Sequence, residues 1–305
     1  MAGERQGKGR RMVRMMALLA ASLGGSSVGT AQTRPAQAMP QPPSRPNIAP
    51  LPRVTTPRLY VIDCGYLTTN RPEAFGLTRD EVADSNMPVT CYLVIHPKGV
   101  LLYDTGLSDL LVGRPAYEHS VFGWGQIKMR SLRGELADIG LAPEDITYLA
   151  LSHGHFDHVG NANMFAGSTW LTPRAEYADM FEKGATFSLA DYAALAHSRK
   201  ILYDGDHDVF GDGTVILKAT PGHTPGHQSL YVKLAHTGGV ILSGDLYHYE
   251  EELTKDRMPE RERHSGTPES RRALADFAAR THSQLWIGHS TAFFRNARKS
   301  PAWYD

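Results

Sequence analysis

Four short apolar runs in this sequence each give way to a turn that carries histidine or aspartate. Ile146 to Leu151 leads into Ser152-His153-Gly154-His155-Phe156-Asp157-His158, and Val215-Ile216-Leu217 leads into the segment that holds His223. Val240-Ile241-Leu242 precedes Ser243-Gly244-Asp245, and Gln284-Leu285 precedes Trp286-Ile287-Gly288-His289. Read as buried strands, the runs deliver their polar residues to strand ends, and in layered α/β proteins sites form beyond the carboxyl ends of strands. A glycine stands directly before His223, Asp245 and His289. Glycine lets the backbone turn tightly and approach a ligand closely. The chain is therefore constrained to a fold in which four separate strand ends meet.

The first of these turns fixes the chemistry. It holds three imidazoles and one carboxylate within six positions. Imidazole nitrogen and carboxylate oxygen are the donors that borderline divalent cations such as zinc take. Four candidates exceed the three protein ligands usual for one catalytic zinc, so the surplus points to two ions. His153 and His155 are two residues apart and point the same way in an extended segment. Asp157 and His158 are adjacent and can face a second ion. His96, His119, His197, His207, His236 and His282 stand alone and read as ordinary surface or core histidines.

The order His-x-His-x-Asp-His, then His, Asp and His, resembles the metallo-β-lactamase superfamily, over about residues 58–305. Thr224-Pro225-Gly226-His227-Gln228-Ser229-Leu230 and Gly244-Asp245-Leu246-Tyr247-His248 are similar, more narrowly, to the N-acyl homoserine lactone lactonases. The resemblance implies an α/β fold, an αββα sandwich with the site at the edge between the sheets. It implies that His153, His155 and His223 bind one divalent ion, most simply Zn(2+), that Asp157, His158 and His289 bind another, and that Asp245 bridges them. It further implies lactone ring opening by a hydroxide shared between two metals, with Asp157 taking part in catalysis. The lactonases carry a carbonyl-polarising tyrosine three residues after the bridging aspartate. Here that position is His248, and Tyr247 comes one residue early, so either could take the role, with His248 in register. His227 is expected to support the ligand set rather than join it. Asp104, in Asp104-Thr105-Gly106, is expected to orient a histidine ligand; an aspartic protease would need a second copy of that tripeptide or a dimer.

Other readings of the same ligands are a glyoxalase II-type thioesterase, a β-lactamase and a non-catalytic metal-binding protein. The resembled β-lactamases lack a bridging carboxylate such as Asp245. The thioesterase would need cationic residues for an anionic thioester. Residues 107–124 are apolar and aperiodic, and Leu110, Val121, Phe122 and Trp124 are expected to line an acyl pocket. Lys255 to His264 is dense in charge and reads as a solvated loop. With Lys plus Arg equal to Asp plus Glu, 32 each, no nucleic-acid groove is expected. The expected partner is a small acyl lactone, and a homodimer is left open.

The amino-terminal region reads as export machinery. Arg5, Lys8, Arg10, Arg11 and Arg14 precede the short apolar stretch Met15 to Leu23, and Gly29-Thr30-Ala31 suits cleavage. Residues 1–31 are thus expected to be a signal peptide, 32–57 a Pro/Ala/Gln-rich linker and 58–305 the hydrolase domain. The mature chain would be periplasmic or secreted, without a stable membrane span. Cys64 and Cys91 are the only cysteines. Export would let them pair, but their apolar flanks read more simply as those of small buried hydrophobes. Helical spacing appears at Met129, Leu132, Leu136 and Ile139, and again at Leu274, Phe277, Ala278 and Thr281, where Thr267 is expected to cap a helix opened by Pro268.

Overall fold

The computed structural model describes residues 53–68, 71–119, 124–182 and 189–305. The expected signal peptide, linker residues 32–52, Val121 and Phe122 lie outside the described residues. Strands β1 (Arg58–Thr68), β2 (Met87–His96), β3 (Gly99–Tyr103), β4 (Tyr117–His119), β5 (Trp124–Ile127), β6 (Tyr148–Ala150), β7 (Thr169–Pro173) and β8 (Lys200–Tyr203) form one sheet, in the order β4-β5-β1-β2-β3-β6-β7-β8. Strands β9 (His207–Asp208), β10 (Val215–Ala219), β11 (Gln228–Leu234), β12 (Gly238–Leu242) and β13 (Gln284–Trp286) form the other, in the order β13-β12-β11-β10-β9. The helices are α1 (Leu132–Asp138), α2 (Phe156–Val159), α3 (Arg174–Phe181), α4 (Leu189–Tyr192), α5 (Glu250–Thr254), α6 (Thr267–Thr281) and α7 (Thr291–Asn296).

Alternation along the strands builds the layers. In β1, Leu59 and Val61 join the core between the sheets, together with Val94, Leu101, Leu217, Leu230 and Leu242. Tyr60, Ile62 and Cys64 turn to the opposite face, where Leu132 and Leu136 of α1, Phe165 and Met180 cover them. The outer face of the second sheet, at Tyr231 and Ile241, packs against Leu274 and Phe277 of α6. The result is helix, sheet, sheet, helix, the expected αββα sandwich. Both faces of the central strands are buried, which is why they read as continuous apolar runs.

Three local expectations are corrected. Met129 lies ahead of α1, before the Ser131 cap, and is 76% exposed. α6 starts at Thr267 after Gly266 with no side-chain cap, because the Thr267 hydroxyl instead donates to Glu262 Oε2 at 3.0 Å. Cys64 and Cys91 form a disulfide. The ladder pairs Cys91 with Ile62, but β1 shifts register between Asp63 and Tyr66, where Gly65 takes φ 126°, and Cys64 reaches its partner two positions on. Alternation alone could not reveal that bulge. Among the described residues, no helix is long and apolar enough to cross a membrane.

Candidate metal centre

The turns after β3, β6, β10, β12 and β13 meet at one edge of the sandwich. His153, His155, His223 and Asp245 form one group of donors, and Asp157, His158 and His289 form a second, each tight enough to hold a metal ion. In the first, His155 Nδ1 lies 2.8 Å from His153 Nε2 and 3.0 Å from His223 Nε2. Asp245 Oδ2 stands 3.6 Å from His153 Nε2 and 3.4 Å from His223 Nε2. In the second, Asp157 Oδ2 is 3.5 Å from the Nε2 atoms of both His158 and His289. Asp245 Oδ1 is 3.1 Å from the same two nitrogens. One carboxylate therefore turns one oxygen to each group.

Three of the rings are anchored through Nδ1. His158 Nδ1 meets Asp104 Oδ2 at 2.9 Å, His223 Nδ1 meets Glu262 Oε1 at 2.8 Å, and His289 Nδ1 donates to the Pro88 carbonyl at 2.8 Å. These acceptors favour the Nδ1–H tautomer of each ring when it is neutral, with Nε2 aimed inward. His158 Nε2 and Asp245 Oδ1 are buried with no hydrogen-bond partner. Lone pairs converging on one point, with orphaned buried atoms among them, call for a cation, and the residues present fit a pair of divalent ions.

The electrostatics differ between the two groups. Burial holds His153 and His223 well below the ordinary imidazole value and His155 at about 3, so all three are neutral donors. Burial also pulls on His158, but Asp245, Asp157 and Asp104 together outweigh it and hold that ring well above its usual value. Burial would raise Asp245, yet His158, His289, His153 and His248 keep it well below the carboxylate range.

Asp104 and His227 both hydrogen-bond to residues of the donor groups. Asp104 adopts φ 63°, rare for a residue with a side chain. Its amide donates to the Ala150 carbonyl, and its Oδ1 accepts from Ser152 N at 2.6 Å, while Oδ2 holds His158. The strained turn thus sets one carboxylate against both the start of the ligand loop and a ring in it. His227 Nε2 accepts from the Asp245 amide at 2.9 Å and its Nδ1 faces Thr220 Oγ1 at 2.9 Å.

Tyr247 and His248 part company. Tyr247 is buried in the outer cluster with Leu246, Leu274 and Ile287, under the Arg271 guanidinium at 4.2 Å, and does not line the cavity. His248 does line it, with Nε2 3.3 Å from Asp245 Oδ2 and Nδ1 3.3 Å from Glu252 Oε2. Burial opposes its charge, but Glu252 and Asp245 push it up to about 10. A short extended step after the turn at Asp245 sends adjacent side chains to opposite sides, which rules Tyr247 out of the site.

A cavity of about 320 Å³ opens on these donors. Its apolar wall is Leu67, Ala74, Phe75, Met87, Trp124 and Phe156. Trp124 was expected there. Leu110 was not correctly placed: it is 72% exposed on the short turn after Ser108 and lines no part of the cavity. The charged run Lys255 to His264 is also corrected. Pro259 and Arg261 complete the wall, and Glu262 is buried against His223. Nothing in the sequence marks Glu262 apart from its charged neighbours, and Phe75 and Met87 lie in segments without ligand motifs.

Residues 85–289 match the family model of the metallo-beta-lactamase superfamily. The chain is 29% identical over 272 residues to the N-acyl homoserine lactonase AttM of Azorhizobium caulinodans, spanning 83% of this chain and all of that protein. It is 31% identical over 215 residues to the N-acyl homoserine lactonase AiiA of Bacillus thuringiensis subsp. kurstaki, spanning 68% of this chain and 82% of that one. A solved N-acyl homoserine lactone hydrolase with N-hexanoyl-L-homoserine bound at its catalytic metal center superposes with a TM-score of 0.68 at 25% identity, over 82% of this chain and 100% of its own. The chain belongs to the metallo-β-lactamase superfamily.

Proposed function

We propose that this member of the superfamily, a metal-dependent hydrolase, opens the lactone ring of N-acyl homoserine lactones and so quenches signals of that class. The observation that carries the reading is Asp245, one carboxylate facing two donor groups at the floor of an apolar cavity. The lactonases with which the chain aligns over most of its length support the substrate class. His153, His155, His223 and Asp245 Oδ2 would hold one ion, and Asp157, His158, His289 and Asp245 Oδ1 the other; zinc suits the donor set. When bound, such a pair supplies Lewis acidity and lowers the pKa of water towards about 7.

The chain's own residues do the rest. The Leu67, Phe75, Met87, Trp124 and Phe156 wall takes the acyl chain and keeps bulk water from the reacting carbonyl. His248 Nε2–H donates to the carbonyl oxygen as negative charge builds on it. Asp157, which lines the cavity, accepts the proton of the attacking water and returns it to the ring oxygen as the ester C–O bond breaks. Water and lactone become one hydroxy acid.

Arg261 gives a second reading some purchase, since a guanidinium in the wall would suit an anionic thioester of the glyoxalase II type. Hydrolysis of short- and long-chain acyl homoserine lactones, a glutathione thioester and a penicillin, followed by mass spectrometry of the products, separates the readings. Lactones should be turned over fastest. Faster thioester cleavage would replace the lactonase proposal with the thioesterase.

Export belongs to the same proposal. The basic and apolar segments at 5–23 support it, and the buried Cys64–Cys91 bond suits an oxidising compartment. Mass spectrometry of protein from the envelope fraction should find a start near Gln32; an intact Met1 in the cytoplasm would end this part of the reading.

A further inference from the structure

Glu176, near the start of α3, is a carboxylate that the chemistry above does not use. It is 1% exposed, and it lines no part of the cavity. Its Oε1 accepts from Gly154 N at 2.8 Å. Its Oε2 accepts from Thr224 Oγ1 at 2.7 Å and from Gly226 N at 3.0 Å. Gly154 lies between His153 and His155, in the turn that leaves the first sheet. Thr224 and Gly226 follow His223, in the turn between β10 and β11 of the second. One side chain thus ties together two ligand loops that arise on different sheets.

The packing shows how close the approach is. A Cβ on Gly226 would run into the backbone and Cβ of Glu176, and a Cβ on Gly154 would meet the Met180 side chain one turn along α3. Both glycines let α3 settle onto the loops. A carboxylate is suited to this place because it only accepts, with room for three donors. An amide would turn an N–H toward one of them.

We propose that Glu176 is a positioning residue that holds His153 and His155 against His223, and so sets the affinity of the first donor group for its ion. The second group has its own anchors, Asp104 on His158 and the Pro88 carbonyl on His289, and does not depend on Glu176. The inference rests on the reading of the two groups as metal sites.

The test is chelator competition on the zinc-loaded full chain, counting equivalents retained by elemental analysis, with the melting of the metal-free protein as control. Wild type should retain two equivalents. Glu176→Gln should release one of them at a chelator concentration about 10–100-fold lower, the scale on which partners of metal ligands act, while the other stays. Thr224→Val removes one bond of the three without burying a new donor, and should shift the same equivalent by a smaller factor with metal-free melting unchanged. Release of both equivalents at the wild-type concentration in both variants overturns the role of Glu176. Loss of both together, in step with a lowered metal-free melting point, reduces it to a general packing residue and also overturns it. A wild type that binds no zinc overturns the metal reading itself.

Discussion

His248 Nε2 stands 3.3 Å from Oδ2 of Asp245, three residues before it in the chain, while the intervening Tyr247 is turned onto Arg271. On the proposed lactonase reading, the carbonyl-polarising role would fall to this imidazole. His248→Phe should lower kcat by about 10²–10³-fold, the loss typical of one oxyanion donor, with two equivalents of metal still bound. Tyr247→Phe should leave kcat within about twofold, because its ring packs under a cation outside the cavity. Equal losses in the two variants, read by steady-state kinetics, would contradict the assignment.

Asp245→Asn removes the charge that faces both donor groups. Metal content should drop below two equivalents and kcat/KM should fall by more than about 100-fold, beyond the effect of changing a ligand's neighbour. Elemental analysis and kinetics on the same preparation check this; full metal content with wild-type turnover would remove the bridging role.

Chain length should matter through Trp124. It lines the cavity and lies with its ring centroid 6.2 Å from each of Phe75 and Phe156. Each methylene buried in the transition state is worth up to about 0.8 kcal/mol, close to fourfold in kcat/KM. Trp124→Ala should hurt long-chain lactones more than short ones, and Leu110→Ala should change neither. A uniform loss across chain lengths would make Trp124 mere core cover.

Cys64 and Cys91 are 27 residues apart. Closing a loop of that size in the unfolded chain is worth about 3–4 kcal/mol in the entropic account. Cys64→Ala with Cys91→Ala should lower the urea midpoint correspondingly, measured under oxidising conditions. An unchanged midpoint would mean that the bond does not constrain the chain.

His96 offers a pH test away from the metal donors. Burial between its Phe210 stack and the sheet holds it below the ordinary value of 6.5, with Asp212 opposing. The unfolded chain takes up a proton near that value which the folded chain refuses until lower pH. The stability owed to neutral His96 is fully present above 6.5 and is lost progressively as pH falls from 6.5 through the lower folded value. Denaturation at about pH 8 and about pH 5.5 should show wild type losing more stability on acidification than His96→Gln. Parallel losses would show that His96 does not titrate across this window.

The donors were legible because the turns that carry them follow short apolar stretches and His223, Asp245 and His289 each sit directly after a glycine, signals carried by nearby residues. The layers were legible for a related reason: β2 is buried along its whole length, and a strand apolar on both faces belongs between two layers. What escaped depends on contacts between distant segments. Glu176 and Glu262 are ordinary helix and loop glutamates until α3 and residues 259–262 fold onto the ligand loops. The Cys64–Cys91 bond needs a bulge that shifts register by a step no periodicity records. Leu110 was misplaced because an apolar residue in an aperiodic stretch says nothing of the direction it faces. Tyr247 and His248 differ by one position, and only the backbone after Asp245 decides which of them meets the site.

The two sheets contribute their ligands at very different times in the life of the chain. Synthesis runs from the amino end, so His153, His155, Asp157 and His158 emerge well before His223, Asp245 and His289. Four donors on a nascent loop have neither the opposing carboxylate nor the anchored rings that complete the centre. On the metal reading, tight capture would therefore wait until β13, which pairs in parallel with β12, has docked and brought His289 into place. Since ligand type and geometry share the choice among first-row cations with metal availability, the metals present where the last strand comes to rest would then weigh on which ion is taken up.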